Sequence, residues 1–67
     1  MNDDLRKALK LKYEGDLAAA KVNIKVYLNR PAGIGEHSDI VGAIDEEVIK
    51  ATTALEKLQF MKDLEMS

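Results

Sequence analysis

Sixty-seven residues, 46% of them hydrophobic and with a net charge of −2, fit one small folded domain and not the apolar-poor, highly charged class that stays disordered. The absence of cysteine and the single histidine exclude disulfides and thiolate metal sites and leave zinc short of its usual ligands. A chain this short must then be held by regular helix packing or by association.

The first predicted element is a helix over about 3–28. It contains no proline and is rich in strong helix formers. Asn2 or Asp3 can cap its start by accepting backbone N–H bonds, and acids there suit the helix dipole. Leu9, Tyr13, Leu17, Ala20, Ile24 and Leu28 recur at steps of three and four and so share one face. Gly15 interrupts the run at a cost of about 1 kcal/mol against alanine. The opening segment MNDDLRKALK lacks the apolar core of a signal peptide. No apolar stretch approaches the roughly 20 residues of a membrane span, and a cytoplasmic protein is the default expectation.

The segment NRPAGIGEHSD, residues 29–39, breaks the helix. Pro31 disfavours helical geometry at Arg30 and cannot donate a backbone bond. Gly33 and Gly35 give the freedom to turn. Ser38 stands where an N-cap belongs, with Asp39 in the first turn of a second helix. The predicted bend is 29–38, with Pro31, Gly33, Gly35 and Ser38 as its bend and cap residues.

The second predicted helix covers about 39–64. Val41, Ile44, Val48, Ala51, Leu55 and Leu58 alternate steps of three and four through three heptads. Folding back at about Ile34 sets Ile24 near Ile44, Leu17 near Ala51 and Tyr13 near Leu55. Residues 1–30 carry seven basic and four acidic side chains, and residues 31–67 carry three and eight. The two arms therefore complement each other in charge, with Lys21 level with Glu47 and Lys12 with Glu56. The expected fold class is all-α, a single antiparallel two-helix hairpin over 1–67.

That hairpin leaves apolar residues over. Leu11, Ala18, Val22 and Val26 line a second face of the first arm, and Ile49, Phe60 and Leu64 lie off the stripe of the second. A helix apolar on two sides is normally buried on two sides. Leu11, Val22, Val26, Ile49, Phe60 and Leu64 are thus the expected assembly or partner face. A homo-oligomeric helical bundle, simplest as a four-helix dimer, is the expected form. The same face could instead dock a different protein.

Chemistry-bearing patterns are weak. Gly-x-Gly in the bend lacks both the remaining spacing and the preceding strand of a nucleotide-binding loop. Glu36, His37 and Asp39 offer one imidazole and two carboxylates, but near-adjacent residues rarely converge on one metal, and Asp39 suits the helix start. No metal or cofactor is expected. Asp45-Glu46-Glu47 reads as a solvated acidic face or a salt-bridge partner, since neighbours on a helix diverge by about 100°. Asp16 and Asn23 border the main stripe and are candidates for polar contacts that fix register, though simple exposure is the blander reading. No Ser, His and acid spacing resembles a triad, so the protein reads as a non-enzyme. Arg6, Lys7, Lys10, Lys12, Lys21, Lys25 and Arg30 could contact phosphates. An accessory role on nucleic acid through the basic first helix is therefore the alternative, disfavoured by the acidic second arm and the lack of a recognised motif.

The segment KVNIKVYLNRPAGIGEHSDIVGAIDEEVIKATTALEKLQ resembles small helical-hairpin proteins of T-even-like tailed bacteriophages, most specifically over Ile24–Ile44. Those proteins share a centre of the form IKVYxxNPxGIGEHxDIxxAI between helical arms. Here Arg30 stands directly before Pro31, and Ala32 occupies a variable position. The resemblance implies a viral origin, expression in the cytoplasm of an infected bacterium, and a host or phage protein as a possible partner. It brings no catalytic or ligand residue.

Overall fold

The computed structural model describes residues 3–29 and 39–66. They form two α-helices, α1 (Asp3–Asn29) and α2 (Ile40–Met66), of 27 residues each. At 1.5 Å per residue each is about 40 Å long, and the molecule measures 48 × 17 × 14 Å. Two long-range contacts show the arms to be antiparallel. Asn23 reaches Glu47, and the Lys57 ammonium lies over the Tyr13 ring.

Local chemistry sets the helix starts. Asp3 and Asp4 occupy the first turn of α1, where their charge meets the positive end of the dipole. Asp39 caps α2. Its carbonyl accepts the Ala43 N–H at 2.9 Å, and its Oδ1 accepts the Gly42 N–H at 2.9 Å. Asp39 thereby takes the capping position that the sequence assigns to Ser38, and α2 begins at Ile40. The other predicted bend residues, Pro31, Gly33, Gly35 and Ser38, lie outside the described residues. Gly42 fits this cap closely, since a Cβ there would collide with the Asp39 carboxylate.

The seam on α1 is the predicted one for most of its length. Leu9, Tyr13, Leu17 and Ile24 are half-buried and Ala20 is buried, but Leu28 is exposed, and Tyr27 turns inward in its place. On α2 the seam is rotated. Ile44, Ala51 and Leu58 do face α1, but they are joined by Ile40, Glu47, Ala54 and Met61. Val41, Val48 and Leu55, expected in the core, are exposed, Val41 by 80%. The pairing is correspondingly displaced, with Tyr13 meeting Lys57 where the spacing predicts Leu55.

Small side chains lie deepest in the seam. Ala20 and Ala54 are the most buried residues, at 1% and 2% exposure, and small residues at a helix seam let two helix axes draw together. Turning the bulkier Val48 and Leu55 into that gap would hold the helices apart. The resulting core is thin. Only Ala20, Ala54 and Met61 are buried apolar residues among those described, and no large side chain is fully enclosed. Complete burial of a Leu or Val contributes about 1.5–3 kcal/mol, and the half-buried residues of this seam gain only part of it. Among the described residues, no helix is long and apolar enough to cross a membrane.

Candidate functional site

Two features stand out on this frame: a polar contact inside the seam and apolar faces outside it.

The polar contact centres on Glu47, which is 6% exposed. Its spacing from Ile44 and Ala51 places it on the inward stripe of α2, between apolar turns. Asn23 Nδ2 donates to Glu47 Oε1 at 2.8 Å, and Lys50 Nζ donates to Oε2 at 2.9 Å. Both oxygens are satisfied, as a buried carboxylate requires. Among the described residues, no buried side-chain nitrogen or oxygen lacks a partner. The Asn23 amide, and after it the Lys50 ammonium, hold the Glu47 carboxyl below its ordinary range. The same contact raises Lys50 above its own. An acid stabilised in its charged form is a weak proton donor or acceptor near neutrality, so this arrangement suits structure and not acid–base chemistry.

For Glu47 the sequence offers a place opposite Lys21 or on a solvated acidic run, and its burial in the seam was missed. Its spacing from Ile44 and Ala51 was the available signal. Its expected partner Lys21 is replaced by Asn23. Lys12, expected opposite Glu56, instead pairs with Asp16 one turn along α1 at 2.9 Å. Asp16 therefore sits in an exposed local ion pair and does not take the register-fixing role that Asn23 does.

A shallow groove beside Glu47 is lined by Asp16, Ala19, Asn23, Lys50, Thr53 and Lys57, among others. Its charges are mixed, with Lys50 paired to Glu47 and Asp16 to Lys12, which suits no single ligand sign. A second groove gathers Arg6, Lys10 and Lys62 with Glu14 and Glu65. A phosphate entering there would meet carboxylates among the cations, which weakens the case for a nucleic-acid surface. Among the described residues, no group of three or more His, Cys, Asp or Glu is arranged to hold a metal ion. Asp39 is engaged as a cap, and its proposed companions Glu36 and His37 lie outside the described residues.

The apolar faces are extensive. Leu11, Val22 and Val26 project from α1 away from the seam, and Ile49, Phe60 and Leu64 lie outside the seam of α2, all of them exposed. Val41, Val48 and Leu55 add a further strip along α2. The accessible surface is 5253 Å², against about 4,200 Å² for a compact monomer of this mass. The excess, about 1,000 Å², is comparable to the roughly 800 Å² that each partner contributes to a standard interface.

No family model, curated protein or solved structure matches the chain.

Proposed function

We propose that this protein is a non-enzymatic helical hairpin that self-associates and acts through protein–protein contacts. The observation that carries the reading is the imbalance of its apolar surface. Three apolar residues are buried, whereas eleven large ones are exposed among the described residues. Isolated short helices are marginal in water and take most of their stability from packing. A second hairpin covering part of the exposed surface supplies what the seam does not, with a four-helix dimer as the smallest closed form. The resemblance of residues 24–44 to T-even-like phage proteins supports a role inside an infected bacterium, where a host or phage protein is the further partner.

Light scattering over a dilution series tests this directly. The expected result is a defined dimer or larger species that dissociates on dilution. A monomer at all accessible concentrations would overturn self-association and leave the apolar faces to a different protein.

A further inference from the structure

The second helix carries two rows of residues able to close on α1. Ile44, Ala51 and Leu58 lie in the seam and border both rows. On one side of them stand Ile40, Glu47, Ala54 and Met61, which face inward. On the other stand Val41, Val48 and Leu55, which are exposed by 80%, 41% and 51%. At about 100° per residue, the shared row lies about 40° from the first row and about 60° from the second. Exchanging one outer row for the other therefore takes a rotation of α2 by only about 50° about its own axis, with no change of register or direction.

Apolar content does not select the observed setting. The outward row is Val41, Val48 and Leu55, ending at Lys62, whereas the inward row holds a carboxylate and a small alanine between Ile40 and Met61. The rotated seam is wider, but the distance between helix axes follows the side chains at the contact. Burying a carboxylate is costly unless its oxygens are bonded, and the rotation would carry Glu47 to the edge of the seam, where water can satisfy it. In the observed setting Asn23 Nδ2 donates to Oε1 at 2.8 Å and Lys50 Nζ to Oε2 at 2.9 Å. Lys50 stands on α2 and turns with Glu47, so it serves the carboxylate in either setting. Asn23 stands on α1, and its amide is what makes the inward position of Glu47 tolerable.

We propose that the Asn23–Glu47 hydrogen bond sets the rotation of α2 and so holds Val41, Val48 and Leu55 on the outside. Without the Asn23 amide, α2 turns and buries that row against α1. The inference does not rest on self-association, since a monomeric hairpin faces the same choice of rows. It makes the exposure of an apolar row on one helix depend on a single amide of the other.

Cysteine protection reads the rotation, and the chain has no cysteine of its own to interfere. Met61→Cys and Leu55→Cys proteins are labelled separately with N-ethylmaleimide, at dilutions where the rates no longer depend on concentration, so that association shields neither site. In the parent background Met61→Cys should react at least about tenfold more slowly than in the urea-unfolded chain, and Leu55→Cys close to the unfolded rate. Asn23→Leu removes the donor at similar size and should invert that order, with Leu55→Cys slow and Met61→Cys fast. Adding Glu47→Leu removes the carboxylate that the amide serves and should restore the parent order, since replacing both partners by apolar groups costs little. Should Met61→Cys lose helicity, Ala54→Cys gives a second inward probe.

An Asn23→Leu protein that keeps the parent order would show that other contacts fix the rotation and would overturn the inference. Fast labelling at both sites would show a seam that opens instead of turning, which overturns it equally. An inverted order that persists after Glu47→Leu would assign the effect to the new leucine and remove the role of the hydrogen bond.

Discussion

Glu47 shows how one charged residue can be accommodated in a seam with little core to spare. Its carboxyl is held below the ordinary glutamate range by Asn23 and Lys50. The contact therefore stabilises the fold fully above the unfolded value, about pH 4.3, and is lost as pH falls through the lower folded value. Lys50 is raised, so its share is full below the unfolded lysine value, about 10.4, and is lost as pH rises past the folded one. Thermal melts followed by circular dichroism should fall as pH drops below about 4, and Asn23→Ala should lower the melting temperature at neutral pH and make that fall shallower. Unchanged acid sensitivity in Asn23→Ala would show that other carboxylates dominate it. The two helical glycines should respond differently to alanine. Gly15→Ala should stabilise the hairpin by about 1 kcal/mol, since its Cβ enters open space. At Gly42 the same gain is offset by displacement of the Asp39 cap, itself worth about 1 kcal/mol, so urea denaturation should find little change.

At the level of the helices, the hairpin and its approximate ends were legible, because proline placement and the repeat of three and four are strong local signals. The rotation of α2 was not. Ile44, Ala51 and Leu58 belong to either seam, and the choice lay between Val41, Val48 and Leu55 on one side and Glu47, Ala54 and Met61 on the other. Side-chain hydrophobicity favours the first set. Burial of the small Ala54 against α1, with Asn23 available to satisfy Glu47, favours the second, and neither can be seen from one helix alone. The two seams make opposite predictions. Ala54→Leu should destabilise the hairpin by about 1–3 kcal/mol through overpacking, while Leu55→Ala should change it by no more than about 0.5 kcal/mol. Urea titrations of the two variants decide between the seams, and the reverse order would restore the expected one.

For the whole molecule, the surplus apolar surface was anticipated from the leftover residues of each helix, and the structure places Leu11, Val22, Val26, Ile49, Phe60 and Leu64 outside the seam. If assembly supplies the missing burial, the melting temperature should rise with protein concentration. Val22→Glu should abolish that dependence and yield a monomeric mass while retaining helical circular dichroism. A variant that keeps the parent mass would place the interface elsewhere.

The pairing of Asn23 with Glu47 also acts as a form of proofreading on the chain. A helix sliding by one heptad along α2 in one direction would bring Asp16 to the place of Asn23, setting carboxylate against carboxylate in a poorly hydrated cleft. An apolar helix from another protein, offered in place of α1, would strand Glu47 without its amide donor. Such mismatched pairings forfeit a hydrogen bond and isolate a charge, whereas the outer face of α1 makes no such demand. The molecule is thus selective about which helix closes its seam.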